Sequence, residues 1–355
     1  KSFEFKGKSN WSELLITLLP FIIIIGLWVL IMRRMSGGGA GGAGGGSQIF
    51  NIGKSRAKVY DKDTEVKTTF AEVAGMAGAK EEVLEVVDFL KNPKKYTDLG
   101  GRIPKGVMLS GPPGTGKTFV AKAIAEYLLE NDPARCRLVQ FHPSYGYEDF
   151  VEGMRPVAGE NGSFEFKNHP GALLETVNEI EGDGQTRILI IDEINRANIS
   201  RVFGELMYLL EYRNEKIRLM LRENFSLPDN LIMIGTMNTA DRSIRSLDVA
   251  MRRRFKFFEL LPDVNVLRRI YENSEFENQI GENLFNGFVK LNQQLMNDID
   301  RHHTIGHSYF IHKSMSFSKL REVWKHEILP LIEDYFFDQP SKVDDYKMEV
   351  FWPNG

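Results

Sequence analysis

The sequence predicts an α/β fold with a parallel β-sheet, an α-helical lid and one N-terminal transmembrane helix. The sheet is predicted by a glycine-rich loop, Gly111–Thr118, that joins an apolar strand to a helix, and by two later apolar runs that end in polar side chains. Helical periodicity in residues 263–355 predicts the lid. The transmembrane helix is predicted by Leu14–Met32, which contains no charged residue.

The composition fits a globular protein of two or three domains. The chain has 355 residues, of which 42% are hydrophobic and 26% are charged. A formal net charge of −3 excludes the global positive field of a dedicated nucleic-acid binder, so DNA would be reached only indirectly. Cys136 is the single cysteine, which excludes an internal disulfide and is more typical of a small apolar or partly exposed thiol than of a catalytic one.

The N-terminal apolar run is long enough to cross a bilayer. At about 1.5 Å per residue, Leu14–Met32 spans roughly 28 Å, close to the thickness of the hydrocarbon core. Arg33 and Arg34 follow it, and the positive-inside rule then places the rest of the chain in the cytoplasm. A buried soluble helix and a cleaved signal peptide are the alternatives. We therefore expect residues 1–35 to form an outer stub and a membrane anchor.

Residues 36–67 are expected to form a flexible linker, because Ser36–Ser47 contains only glycine, alanine and serine. A helix with an apolar face is predicted over residues 77–90 and ends before Pro93. The nucleotide-binding core is expected to span residues 68–262, with the helical lid and tail in residues 263–355.

The loop Gly111–Thr118 fits the phosphate-binding pattern G-x-x-x-x-G-K-[ST]. Its glycines let backbone N–H groups turn towards a polyphosphate, and the following helix adds its positive N-terminal end. Lys117 is expected to neutralise the β- and γ-phosphates, and the Thr118 hydroxyl to ligate Mg²⁺. The predicted nucleotide-binding residues of the loop are Pro113, Gly114, Thr115, Gly116, Lys117 and Thr118.

Two apolar strands end in polar residues that complete a hydrolytic site. The run Arg187–Glu193 ends in two carboxylates, of which Asp192 is expected to hold Mg²⁺ through water and Glu193 to act as the general base. The run Asn230–Thr236 leads to Asn238. Its amide is expected at the same edge of the sheet, where it can hold the attacking water or the γ-phosphate.

A basic cluster, Arg252–Arg254, precedes the apolar strand Phe255–Glu259. It is open to three interpretations: a nucleic-acid patch, a solvated basic surface, or an arginine finger that reaches the γ-phosphate held by a neighbouring subunit. We favour the finger, with Arg253 and Arg254 as the candidates.

The pattern after Pro262 predicts helices over residues 265–273, 284–298 and 317–336, which form a small lid over the nucleotide. His307 lies between the last two of them, in the segment Gly306–Phe310. It is a candidate for sensing the phosphates, with a role in the lid core or in capping as the alternative.

Three motifs precede the phosphate loop: Phe70–Gly75, Asp88–Pro93 and Arg102–Gly106. Together with the membrane run and the glycine tether, they make residues 1–118 resemble the FtsH-type membrane-anchored AAA proteases. That resemblance implies an adenine pocket lined by Val73, Ala74 and Gly75. The sequence contains no H-E-x-x-H zinc motif, so proteolysis is not expected, and nucleotide-bound Mg²⁺ is the metal that we expect.

The motifs beyond the loop are Val139–Phe150, Ile190–Asn198, Phe203–Glu205, Met237–Ser243, Asp248–Phe255 and Ile305–Phe310. They make residues 119–355 resemble the McrB-type AAA+ NTPases, the motor subunits of modification-dependent restriction systems. The resemblance implies an AAA+ P-loop core with Asn238 as its sensor-1 residue, Asp241 and Arg242 in the catalytic surroundings, and the finger in Arg252–Arg254. It also implies a hexameric ring, an endonuclease-bearing partner of the McrC type, and commonly a preference for GTP.

The two likenesses meet at the phosphate loop, where both families share a sequence, and such a junction suggests a chimera or a natural fusion. The base pocket then comes partly from the first portion, whose adenine-type segment favours ATP against the GTP expected from the second. The expected function is nucleoside triphosphate hydrolysis by a McrB-like ring motor. The alternatives are a membrane-anchored FtsH-like motor without protease activity and a nucleotide-binding scaffold that does not hydrolyse.

Overall fold

The computed structural model describes residues 106–158, 164–213, 215–241, 249–272, 281–312 and 315–353, together with 25, 26, 28, 86–88, 90 and 91. The chain divides into two units, residues 1–56 and residues 57–355. In the first unit, Ile25, Gly26 and Trp28 are helical and exposed. None of the helices in the described ranges is long and apolar enough to cross a membrane. The rest of the predicted membrane run, the glycine tether and the linker lie outside these ranges.

The predicted parallel sheet is confirmed. The strands of the described part are, in chain order, β1 Gly106–Gly111, β2 Cys136–Gln140, β3 Glu152–Ala158, β4 Phe164–Pro170, β5 Arg187–Asp192, β6 Leu231–Asn238 and β7 Phe255–Glu259. One sheet has the order β2–β5–β6–β1–β7, and all its neighbouring strands are parallel. A second sheet pairs β3 with β4 in antiparallel orientation.

The α-helices of the described part fall into a core group and a lid group. Those of the core are α1 Lys117–Leu128, α2 Tyr147–Phe150, α3 Ala172–Asp183, α4 Ile199–Phe203, α5 Leu206–Leu209 and α6 Val249–Arg252. Those of the lid are α7 Val264–Tyr271, α8 Gly281–Asp298, α9 Phe317–Val323, α10 Leu329–Tyr335 and α11 Met348–Phe351.

Both faces of the main sheet are buried at its central strands, which is why β1, β5 and β6 contain continuous apolar runs. Successive residues of a strand point to opposite faces. Val107 and Ile190 pack with α1 on one face, whereas Met108 and Leu189 pack with α3 on the other. Residues 86–88, 90 and 91 are helical, and Val86, Val87 and Leu90 pack on the α1 face, which confirms a helix at the end of the predicted range 77–90.

The strand register brings the candidate site residues to one edge of the sheet. Gly111 at the end of β1 lies opposite Asn238 at the end of β6, and Ile191 of β5 lies opposite Gly235 of β6. Because all three strands are parallel, their carboxyl ends face the same way. The phosphate loop, Asp192 and Asn238 therefore meet at this edge, as predicted.

The sequence does not predict the β3–β4 hairpin, which the structure adds to the expected fold. Its register places Phe164 opposite Ala158 and Phe166 opposite Pro156, so these residues share one face of the ribbon. Met154 lies on the same face, and its side chain, like those of both phenylalanines, is exposed. The ribbon thus presents an apolar face to solvent.

The lid follows the predicted helices with one irregularity. The stretch predicted as one helix over residues 317–336 consists of α9 and α10 joined by a π-helical turn, Trp324–Ile328. Pro330 lies in the first turn of α10. Since proline has no backbone N–H, the regular hydrogen-bond ladder is interrupted there, and the wider turn accommodates the interruption.

A cluster of aromatic side chains forms the core of the lid. Trp352 is 1% exposed and lies 5.8 Å from the ring centre of Phe310 and 5.7 Å from that of Trp324. Helix α8 approaches this indole at Gly287, where a Cβ atom would lie 2.1 Å from the indole nitrogen. The absence of a side chain at this position is therefore a packing requirement of the lid.

Two glycines in helices give a matched test of this packing. We expect Gly287→Ala to lower the free energy of unfolding by about 1–3 kcal/mol through overpacking against Trp352. We expect Gly182→Ala in α3 to raise it by about 0.4–1 kcal/mol, because nothing lies within 4 Å of the added methyl group and alanine restricts the unfolded chain. Urea unfolding of both variants measures the two values, and equal effects would contradict the packing described.

Candidate functional site

The phosphate loop has the backbone conformation that its glycines allow. Gly114 and Gly116 have φ angles of 76° and 78°, in the left-handed region that residues with a side chain rarely adopt. Gly116 is the N-cap of α1, so the loop passes directly into the positive end of this helix. Before it, Gly111 has no room for a side chain, because a Cβ atom would lie 2.1 Å from the carbonyl oxygen of Leu260.

Lys117 is buried inside the loop and interacts with it. Its Nζ atom donates to the carbonyl oxygen of Pro112 at 2.6 Å, to that of Gly111 at 3.1 Å and to the Thr115 hydroxyl at 3.3 Å. Burial lowers its pKa to about 8, although the nearby carboxylates of Glu193 and Asp192 oppose this shift. The ammonium group is therefore held within the loop with its charge retained near neutral pH.

Asp192 joins the phosphate loop to the central strand. Its Oδ1 atom accepts hydrogen bonds from the hydroxyl of Thr118 at 2.7 Å and from that of Thr236 at 2.6 Å. The two residues predicted as Mg²⁺ ligands, Thr118 and Asp192, are thus in direct contact. A hydroxyl and a carboxylate oxygen are hard donors of the kind that Mg²⁺ prefers.

Three residues interact with Glu193 and fix its position. Its backbone N–H donates to the hydroxyl of Thr236 at 3.1 Å, and its Oε1 atom accepts a hydrogen bond from the amide of Asn238. Its Oε2 atom lies 3.3 Å from Nε of Arg196. The residue has a φ angle of 52°, a left-handed conformation that is costly for a side chain with a Cβ atom and is found preferentially at functional sites.

The charges around Glu193 affect its pKa in opposite directions. Burial raises the pKa, and the positive charge of Arg196 is the largest influence that lowers it. The carboxylates of Asp192 and Asp241 raise it further, and Lys117 lowers it. A general base needs a raised pKa to accept a proton efficiently, and this environment provides one.

Arg196 is a site residue that the sequence analysis missed. Its Nη2 atom also lies 3.8 Å from Asp241, so it links Glu193 to a second acid. Next to it, the amide of Asn195 donates to the carbonyl oxygen of Asn238 at 2.9 Å. The three-residue spacing from Glu193 through the helical turn Ile194–Arg196 is the signal that could have identified it.

The arginine cluster lies at the opposite edge of the sheet from this group. Phe255, which follows the cluster, pairs with Gly106 at the start of β1, whereas the phosphate loop follows the end of β1. At about 3.3 Å per residue, these edges are roughly 17 Å apart. Arg252 and Arg253 are exposed, and Arg254 donates to Glu211 at 3.1 Å. None of the three therefore lies beside Glu193 and Asn238 of the same chain.

The lid contacts the phosphate loop directly. The backbone N–H of Gly306 donates to the carbonyl oxygen of Pro113, and that of Ser308 donates to the carbonyl oxygen of Gly114, both at 2.9 Å. A Cβ atom on Gly306 would lie 1.9 Å from the carbonyl carbon of Gly114, so glycine is needed for this approach. Residues Val73, Ala74, Gly75 and Arg242 lie outside the described residues, and their roles stay predictions.

Comparisons with known proteins agree with this geometry. Residues 106–255 match the model of the AAA domain (dynein-related subfamily), and residues 284–344 match that of the McrB alpha-helical lid domain. Residues 106–255 thus resemble an AAA domain, and residues 284–344 resemble a McrB-type lid. The first match covers the phosphate loop and, of the parallel sheet, strands β1, β2, β5 and β6 with only Phe255 of β7, and the second covers the greater part of the helical lid.

Relatives of this AAA+ domain come from both families that the motifs resemble. The EcoKMcrB subunit of the type IV methyl-directed restriction enzyme of Escherichia coli K12 is 41% identical over 68% of the chain, which spans 56% of that protein. The ATP-dependent zinc metalloproteases FtsH of Haemophilus influenzae and Parabacteroides distasonis are 49% and 36% identical over 73% and 76% of the chain. The chain spans 36% of each protease. The protease likeness thus extends further than residues 1–118, where its motifs lie.

Replacing Arg196 by alanine tests the electrostatics of Glu193. Without the positive charge, burial raises the pKa of Glu193 further. The ionised carboxylate accepts the proton, so we expect the acidic limb of the pH–rate profile of hydrolysis to move to higher pH. Arg218→Ala, at an exposed arginine outside this group, is the control. An acidic limb at the same pH in both variants would show that the ion pair does not set the pKa.

Proposed function

We propose that the chain binds and hydrolyses ATP or GTP at the β–γ phosphoanhydride bond, as one subunit of a ring motor that resembles McrB. One observation carries the proposal: Glu193, Asn238 and the Thr118–Asp192 pair meet at the carboxyl edge of the sheet, beside the phosphate loop. This is the set of groups that phosphoryl transfer to water requires.

Each of these groups has a distinct part in the proposed reaction. The loop N–H groups and Lys117 hold the phosphates, and Thr118 and Asp192 would hold Mg²⁺, which neutralises phosphate charge when bound. Glu193 accepts a proton from the attacking water, and its raised pKa suits it to do so. Asn238 donates to the Glu193 carboxylate and so fixes the direction in which this base acts.

A neighbouring subunit is needed to complete this site. Arg253 is exposed at the far edge of the sheet, too distant to reach the phosphates bound by its own chain. In a closed ring, the same arginine can act on the nucleotide of the next subunit, where it would stabilise charge in the transition state. We favour Arg253 over Arg254 for this role, because Arg254 is paired with Glu211. By likeness to McrB, we propose that the ring is hexameric.

The McrB likeness also suggests a partner, and the protease likeness a location. We propose an endonuclease-bearing subunit of the McrC type as partner, with DNA reached only through it. We propose that residues 14–32 anchor the chain in a membrane, with the AAA+ body in the cytoplasm. The likeness to FtsH leaves one alternative, a membrane-anchored FtsH-like motor without protease activity.

Two substitutions separate nucleotide binding from hydrolysis. We expect Lys117→Ala to weaken binding of ATP and GTP, since it removes the charge that the loop offers to the phosphates. We expect Glu193→Gln to retain binding and to lower the hydrolysis rate by about 10²- to 10⁴-fold, since it removes the base. Side-by-side titrations with ATP and GTP measure binding and show which of the two nucleotides is preferred. Assays of phosphate release then measure the hydrolysis rate.

Lys325→Ala, at an exposed lysine of the lid, is the control for both substitutions. An unchanged hydrolysis rate in Glu193→Gln would rule out the proposed base. Tight nucleotide binding by the wild-type chain without phosphate release, even with an McrC-like subunit present, would instead support the non-hydrolysing scaffold.

Mixing two inactive variants tests whether the finger acts between subunits. We expect Arg253→Ala and Glu193→Gln each to be nearly inactive alone. A mixed ring contains some sites with an intact Glu193 from one chain and an intact Arg253 from the next, so mixing is expected to restore part of the phosphate release. Mixing Arg253→Ala with Arg253→Ala,Glu193→Gln is the control that forms no complete site. No recovery in mixed rings would contradict the finger.

A further inference from the structure

The contact between the lid and the phosphate loop is centred on His307. The flanking residues Gly306 and Ser308 donate backbone hydrogen bonds to Pro113 and Gly114 of the loop. A Cβ atom added to Gly114 would lie 2.5 Å from the ring atom Cε2 of Tyr309, the residue that follows Ser308. The His307 side chain is therefore fixed beside the loop by contacts on both sides of it in the sequence.

The His307 ring is neutral, and its tautomer follows from its one hydrogen bond. The Nδ1 atom accepts from the backbone N–H of Asp263 at 3.4 Å, at the start of α7. Burial lowers the pKa of the ring to about 4, although the Asp263 carboxylate opposes the shift. Near neutral pH the ring is therefore uncharged, and with Nδ1 as the acceptor its hydrogen lies on Nε2.

The Nε2 atom is a buried donor without a partner among the described residues. His307 is 3% exposed, and in the part of the chain that the structure describes Nε2 is buried from solvent and makes no hydrogen bond. A buried donor that stays unsatisfied costs about 1–3 kcal/mol, so a ligand atom that accepts a hydrogen bond from Nε2 would stabilise the bound state.

The order of the strands shows which part of a nucleotide His307 can reach. Strand β1, which leads into the loop, lies between β6 and β7. Asn238 ends β6, and Asp192 ends β5 beyond it, so the reacting end of the nucleotide lies on that side. Asp263, the partner of His307, follows β7 on the other side. A nucleotide with its γ-phosphate at Glu193 therefore extends its base towards His307.

We propose that the Nε2–H group of His307 donates a hydrogen bond to an acceptor atom of the purine base of the bound nucleotide. The inference rests on the proposed nucleotide-binding function and adds a base contact to it. A neutral donor suits a purine, in which N3 and N7 and, in guanine, O6 are acceptors. In the proposed function the phosphates are bound by the loop and by Lys117, which lies within the loop and supplies a positive charge.

The test compares nucleotides with inorganic tripolyphosphate, which has phosphates but no base. The side chain of glutamine can place an N–H group near the position of Nε2, whereas that of asparagine reaches only the position of Nδ1. We expect His307→Asn and His307→Ala to weaken binding of the preferred nucleotide by about 3- to 10-fold. We expect His307→Gln to bind it with nearly wild-type affinity, and all variants to bind tripolyphosphate as the wild type does.

The controls distinguish a base contact from a structural role. His312→Ala replaces another lid histidine, whose Nε2 atom lies 3.2 Å from the carbonyl oxygen of Tyr309, and is expected to leave nucleotide affinity unchanged. Thermal unfolding of each variant reports on the lid, and the Gln and Asn variants can be compared even where the Ala variant is unstable. Equal affinities of the Gln and Asn variants, or an equal loss for tripolyphosphate, would overturn the inference. A wild-type chain that binds neither nucleotide would overturn the proposed function itself.

Discussion

The hydrogen bonds around Asp192 and Thr236 connect the parts of the site that come from different strands. Asp192 ends β5, and it accepts from Thr118 of the phosphate loop and from Thr236 of β6. The same Thr236 hydroxyl accepts from the backbone of Glu193, so it orients both acids at once. Because Asp192 and Thr236 are buried, a displacement of one strand would leave these polar groups without their partners. The positions of the base and of the metal-binding pair therefore depend on this small network.

The sequence predicts those parts of the fold and site that depend on local patterns. The glycines and Lys117 of the loop, the apolar runs of β5 and β6, and their terminal Asp192 and Asn238 are all local signals. Parallel pairing then brings the strand ends together without further information. The lid helices were predicted to within a few residues, for the same reason.

The remaining features depend on contacts between distant residues or on a balance of weak preferences. The Arg254–Glu211 pair joins residues that are far apart in the chain, and the Arg196–Glu193 pair depends on a short helical turn that is indicated only by the three-residue spacing of the two residues. The β3–β4 hairpin was missed because its apolar and charged residues alternate without facing a core. No sequence pattern indicates that the Nε2 atom of His307 is buried, and the role proposed for this residue depends on that burial.

The β3–β4 hairpin has a consequence for the behaviour of the protein in solution. Its apolar face, with Phe164 and Phe166, is exposed, whereas on the opposite face Arg155 and Lys167 are paired with Asp149 and Glu165. Sulfate and other strongly hydrated salts favour the burial of exposed apolar surface, while high ionic strength screens such surface ion pairs. The colloidal state of the protein is thus coupled, through one ribbon, to the type and concentration of salt around it.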